Sequence, residues 1–149
     1  MRAVVQRVSE AKVTVSEQIT GEIGRGLLVY LGAGRGDQTE TAKWMASKVA
    51  GLRVFEDEGG RMSLSVADVG GSLLVVPQFT LYGDVRKGRR PSFDSAAEPE
   101  LAQALYEQVC AELRVLGLTV GTGRFRANML VHAQVAGPVT ILIDSERAF

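Results

Sequence analysis

The residues with the clearest chemical potential sit in one stretch. Leu73-Leu74-Val75-Val76 is an apolar run of the kind a buried strand shows, and it passes directly into Pro77-Gln78-Phe79-Thr80. Pro77 removes a backbone donor, and an amide and a hydroxyl side chain flank Phe79. A cationic loop follows, in which Arg86, Lys87, Arg89 and Arg90 surround Gly88. A buried strand ending in polar groups beside a flexible basic loop is one way to build a site for an anionic substrate. The same pattern also describes a core strand followed by a solvated loop, and residue types alone leave both readings open.

Other chemistries find little support. One histidine, one cysteine and scattered carboxylates do not make a ligand set, so neither a metal nor another cofactor is expected. There is no Ser/His/Asp order and no G-x-S-x-G elbow. Cys110 falls inside a helical pattern and reads as a packed thiol, while His132 faces away from Met129 and Val131. Thr80 is the best-placed hydroxyl, yet no base lies near it in sequence. An enzyme so equipped must lean on backbone donors, on positioning, or on groups its substrate brings.

The elements that must position these residues are those of one α+β domain spanning residues 1–149. Its composition is 46% hydrophobic and 23% charged, which fits a globular chain and argues against disorder. The formal net charge is zero, so attraction to nucleic acid must come from local clustering, and the loop at 86–90 is the dense cluster. A lone cysteine fits a reducing compartment. No stretch approaches the ~18 apolar residues of a membrane span. Met1 to Arg7 is too polar for a signal peptide, so a cytoplasmic location is expected.

Residues 2–16 alternate and predict two strands joined near Ser9-Glu10, followed by a short strand over 17–25. Gly26 to Gly32 predicts a strand buried on both faces. Asp37 is placed to cap a helix, with Glu40 completing a capping-box-like pair and Ala42, Met45, Ala46 and Val49 on its buried face. Leu52–Glu56 and Met62–Val66 read as strands around a turn. Residues 22–29 echo residues 68–75, which points to two similar units. Pro99 suits the first turn of a second helix, with a stripe of Leu101, Leu105, Val109, Leu113 and Leu116 and a stop at Gly117. Leu118–Val120, 127–136 and 139–144 read as strands, with Gly137-Pro138 as the turn between the last two. The whole predicts a mostly antiparallel, barrel-like sheet with two main helices.

Several segments together resemble the D-aminoacyl-tRNA deacylases, also called D-tyrosyl-tRNA deacylases. They are Met1–Ser9, Gly24–Val29, Gln78–Asp84, Arg86–Phe93, Thr122–Phe125 and Gly137–Thr140, in the family's order along nearly the whole chain. The resemblance implies hydrolysis of the ester between a D-amino acid and the 3′ end of tRNA, and of glycine mischarged on tRNA(Ala). It implies a homodimer with its active site at the subunit interface. Gln78, Phe79 and Thr80 would line the pocket as the catalytic residues, with backbone N–H groups near Phe79 facing the reacting carbonyl. A cis Gly137-Pro138 pair, braced by Arg7, would enter the partner's pocket and exclude L side chains. Pro77, Phe125 and Met129 would contact substrate, the last two at the terminal adenosine, whose 2′-OH would help activate water. Arg86, Lys87, Arg89 and Arg90 would meet tRNA phosphates.

Two positions depart from the family's pattern. Pro77 stands where Ser usually precedes Gln-Phe-Thr, and Val135 stands where Asn usually opens Asn-x-Gly-Pro. A related animal deacylase also has Pro before this Gln, and its relatives act on an L-amino acid mischarged on tRNA. The resemblance therefore leaves two alternatives: an editing deacylase with relaxed chiral selectivity, and a non-catalytic tRNA-binding homologue.

Overall fold

The computed structural model describes all 149 residues. Strand β1 (Arg2–Val15) is followed by β2 (Gln18–Ile23), β3 (Gly26–Gly32) and helix α1 (Thr39–Ala50). The short strands β4 (Phe55–Glu56) and β5 (Met62–Leu64) lead to β6 (Ser72–Pro77) and a 3-10 turn (Phe79–Tyr82). Helix α2 (Pro99–Val115), β7 (Val120–Thr122) and β8 (Leu130–Asp144) complete the chain. No helix is long and apolar enough to cross a membrane.

The expected break at Ser9-Glu10 is absent, because β1 runs through it as one 14-residue strand. Its length serves three neighbours. β8 pairs with β1 almost end to end, while β3 takes residues 2–8 and β2 takes residues 11–15, all antiparallel. From β3 the sheet continues in parallel to β6 and then β7. Each parallel step requires a crossover, and these crossovers carry α1 and α2. The sequence echo finds its meaning here. Gly26 faces Ser72, Leu27 faces Leu73 and Val29 faces Val75, so the repeated segments lie side by side at the echo's own offset.

Alternation along β3 and β6 splits their side chains between two apolar compartments. Leu27, Val29, Leu31, Leu73 and Val75 face α1 and α2, joining Met45, Val49, Val109 and Leu113 in the larger core. Leu28, Leu74 and Val76 point the other way and meet Val8, Ala11, Val13 and Ile23 inside the curled sheet. Both strands are therefore covered on both faces, as their unbroken apolar runs predict.

The sheet curls until its ends nearly meet. A Cβ added at Gly21 on β2 would lie 2.5 Å from the Thr122 carbonyl oxygen on β7, so only glycine permits this approach. Ala42, Met45, Ala46 and Val49 are buried as expected. The α2 stripe holds at Leu105, Val109 and Leu113, joined by Tyr106 and Cys110, but Leu101 and Leu116 are 38% and 56% exposed. A stripe longer than the surface it packs on leaves its ends in water.

Four further expectations need correction. Asp37 does not cap α1. Gln38 does, in a box with Thr41, and Glu40 takes no part. The Leu52–Glu56 strand shrinks to Phe55–Glu56, and the strand expected at Leu118–Val120 begins instead at Val120, in register with Leu73. Gly137-Pro138 is not a turn, because β8 continues through it. In the β1–β8 ladder Gln6 faces Thr140 and Val8 faces Val135, so residues 136–139 stand opposite Arg7 alone. A bulge absorbs extra residues without ending the strand, and it tolerates the missing proline N–H.

The near-closure of the barrel makes a measurable demand. Gly21→Ala should lower the unfolding free energy by about 1–3 kcal/mol, since backbone must move to admit the methyl group. Urea denaturation of both proteins checks this, and equal midpoints would show that β2 and β7 are not held at this distance.

Candidate active site

The site begins where β6 runs out. Its ladder with β3 ends on a hydrogen bond from Gln78 N–H to Leu31 C=O at 2.8 Å, after which the chain turns tightly through Phe79–Tyr82. The first N–H bonded within this turn is that of Leu81, to Gln78 C=O at 3.3 Å. The turn thus leaves the N–H groups of Phe79 and Thr80 as open donors at its start. The Gln78 side-chain amide donates to the Thr80 hydroxyl, so the two polar side chains flanking Phe79 are tied together. Phe79 is 57% exposed and packs edge-on against Phe93, with ring centroids 5.0 Å apart.

A buried polar cluster anchors the far end of the turn. Arg2 donates to Leu81 C=O at 3.1 Å and to the Asp144 carboxylate at 3.1 Å, and its guanidinium lies 4.6 Å from the centre of the Tyr82 ring. Asp37 accepts from the Met1 amine and from Gly34 N–H, each at 2.6 Å, with the Tyr82 hydroxyl 3.5 Å away. This is the work that replaces its expected helix cap. Burial and the neighbouring Asp37 and Asp144 carboxylates push the Tyr82 phenol far above its ordinary range. Tyr82 is therefore a fixed neutral group, not a base.

Beside the turn lies a cavity of about 520 Å³. Pro77, Gln78 and Phe79 form one wall, and Phe125 and Met129 form another, so five expected site residues from two distant segments meet here. Ala96 and Ala97, just before α2, and Pro99 and Ala102 at its start supply an apolar floor. Tyr106 supports both walls, donating to Val75 C=O at 2.8 Å with its ring 6.4 Å from that of Phe125. Arg126 and Asn128 also line the cavity, and sequence reading missed them. Their place depends on the turn after β7, which carries no signal in composition or periodicity.

The Gly137-Pro138 element lies elsewhere. Its peptide bond is cis, both residues are exposed, and Gly137 has φ +121°, a value suited to glycine. Arg7 donates through Nε to Ala136 C=O at 3.1 Å and through a terminal nitrogen to Val54 C=O at 2.8 Å, pinning the bulge's base to the β4 segment. Arg7 pairs with Leu27 on β3, whereas Gln78 bonds Leu31, four residues further along. That spacing is about 13 Å at ~3.3 Å per residue. One chain does not bring the two groups of expected site residues together.

The basic loop is closed at its base by paired hydrogen bonds between Asp84 and Ser92, at 2.8 and 2.9 Å. Asp84 grips Arg86 through both carboxylate oxygens, at 2.9 and 2.6 Å, and Arg86 holds that carboxyl down to about 2. Of the four expected phosphate contacts, Arg86 is the one held in an ion pair, with its side chain still exposed. Lys87, Arg89 and Arg90 are exposed and carry no ion pair.

A family description, D-Tyr-tRNA(Tyr) deacylase, matches residues 4–144. The chain belongs to that family. It is 60% identical to the D-aminoacyl-tRNA deacylases of Thermotoga petrophila and Anaeromyxobacter dehalogenans, over the full length of each chain. A solved structure of a c-Myc DNA unwinding element binding protein superposes with a TM-score of 0.91 at 43% identity. That match covers 97% of this chain and 99% of the other.

Cys110 is no rival nucleophile for this family member. It is buried against the sheet, and burial pushes its thiol from 9.0 up to about 11. In that window the native state keeps a proton that the unfolded chain releases, so stability is complete below pH 9 and falls as pH rises toward 11. Denaturation of the wild type and Cys110→Ala across this range should show the shallower loss in the variant. Equal slopes would mean that the thiol ionises as freely folded as unfolded.

Proposed function

We propose that this protein is a D-aminoacyl-tRNA deacylase, hydrolysing the ester between a D-amino acid and the 3′-terminal adenosine of tRNA to release both. The observation that carries this reading is the cavity itself. It sets a turn with open backbone donors beside an apolar slot walled by Phe125 and Met129. In this reading the slot takes the adenosine and the ester carbonyl lies over the turn. Charge developing on the carbonyl oxygen as water attacks is met by the N–H groups of Phe79 and Thr80, donors already fixed before reaction. Gln78 and Thr80 order the polar rim, and Pro77 shapes the wall.

No carboxylate, imidazole or thiol lines the cavity, so the base that takes the water's proton must come with the substrate. The adenosine 2′-OH is the adjacent group, and no metal is required.

Chirality needs a second subunit. Gly137-Pro138 is exposed and about four strand residues away from the cavity of its own chain, so it serves the cavity of a partner copy. The surface fits such pairing. β8 is an edge strand with Leu130 68%, Val135 36% and Leu142 56% exposed, an arrangement that water alone does not favour. In the homodimer the Gly-Pro carbonyls hold the α-amino group and leave no room for an L side chain. Glycine, lacking a side chain, passes the same filter, so glycyl-tRNA(Ala) is also a substrate. Lys87, Arg89 and Arg90 contact tRNA phosphates without reading sequence.

Hydrolysis of D-Tyr-tRNA, L-Tyr-tRNA and Gly-tRNA, each with and without EDTA, tests the reading. The D and glycyl esters should be lost and the L ester spared, with no effect of EDTA. Loss of the L ester as well would replace strict selection by a relaxed editing activity. Binding of tRNA with all three esters intact would make the protein a carrier only.

The loop has its own test. Arg89→Ala with Arg90→Ala should weaken tRNA binding and flatten its log–log salt dependence by about 1.4–1.8, from ~0.7–0.9 per phosphate contact. An unchanged slope would remove the loop from the interface.

A further inference from the structure

Arg126 is strained and unpaired. It is the third residue of the tight turn Arg124–Ala127, closed by a hydrogen bond from Ala127 N–H to Arg124 C=O at 3.2 Å. Its φ is +64°, in the left-handed region where glycine would sit without cost. The side chain is exposed and forms no ion pair, unlike Arg2, Arg35 and Arg86. It lines the 520 Å³ cavity, where the other thirteen lining residues are all uncharged. The cavity therefore carries one formal charge, a positive one, at its rim between Phe125 and Asn128. A strained residue beside a ligand cavity calls for a functional account when a simpler residue would relieve the strain.

The chemistry of the ligand supplies that account. With the terminal adenosine in the slot, its one anionic neighbour is the phosphodiester on its 5′ side. We infer that Arg126 is a substrate-positioning residue that grips this phosphodiester, setting the adenosine's depth so that the ester carbonyl reaches the Phe79–Thr80 turn. A guanidinium can meet two phosphate oxygens at once, which fixes orientation as well as affinity. The inference rests on the deacylase reading and adds a contact distinct from the basic loop, because Arg126 acts at the nucleotide bound in the cavity.

The test compares wild type, Arg126→Gly and Arg126→Lys on two substrates, D-Tyr-tRNA and the D-tyrosyl ester of adenosine, which lacks the phosphodiester. Arg126→Gly should raise the melting temperature by relieving the strained φ. It should also raise KM for D-Tyr-tRNA about tenfold at low salt and reduce the log–log salt slope by ~0.7–0.9. On the adenosine ester its kinetics should match wild type. Arg126→Lys should recover the salt slope without the gain in melting temperature. An equal loss on both substrates would overturn the inference, since the turn would then act through cavity shape alone. Unchanged KM and slope on D-Tyr-tRNA would overturn it too. If the wild type cleaves neither ester, the deacylase reading itself falls, an outcome separable from the other two.

Discussion

The structure hangs on the parallel pairing of β3 with β6. These two strands are apolar on both faces, and neither can be left with one face in water. One face draws in α1 and α2, and the other forces the sheet to curl over Leu28, Leu74 and Val76. Because both strands run the same way, they end side by side, and the last ladder bond, Gln78 N–H to Leu31 C=O, is where regular structure stops. The open donors of the next turn follow from that stop. A strand pair buried on both faces thus ends at the proposed site, where fixed donors would act without reorganisation.

The turn is held at its other end by charge. Arg2, Asp37, Asp144, Tyr82 and the Met1 amine form a compact polar cluster in which every buried side-chain nitrogen or oxygen has a partner. Fully satisfied networks of this kind specify geometry more than they add stability. Here the geometry specified is that of residues 79–82, clamped between a β-ladder and this cluster. Tyr82 and Tyr106 are held as neutral hydroxyls, Cys110 as a neutral thiol. These three groups serve as struts, in keeping with the proposed chemistry, which borrows its base from the substrate.

The proposed division of labour between two copies rests on strand geometry. A β-strand is stiff, so residues four positions apart along β3 cannot be folded onto one point. The cavity and the Gly-Pro bulge sit at opposite ends of such a span. Each is well formed alone: the bulge through the bonds of Arg7 to Ala136 and Val54, the cavity through Tyr106 and the start of α2. In the proposed dimer, rejection of the wrong hand of substrate falls to backbone atoms, which present the same surface whatever side chain arrives.

Local pattern in the sequence determined which segments are apolar on one face or two. The buried face of α1, the double burial of β3 and β6, the Pro99 start of α2 and the β character of the last third were all legible there. Gln78-Phe79-Thr80 and Gly137-Pro138 stood out there as segments that resemble the family's, and their roles are part of the proposed function. The echo between residues 22–29 and 68–75 was visible too, but its meaning as a parallel register was not, since register is a relation between strands. Tertiary structure decided the rest. Asp37 left its helix cap because a buried ammonium outbids exposed N–H groups for a carboxylate. β1 stayed whole because β8 pairs across Ser9-Glu10, and Gly137-Pro138 became a bulge because the same partner strand resumes beyond it. Arg86 was claimed by Asp84, two residues away, and Arg126 was aimed at the cavity by a turn whose φ no side-chain pattern announces. Periodicity reports what a residue must bury; only the assembled chain reports which groups it meets.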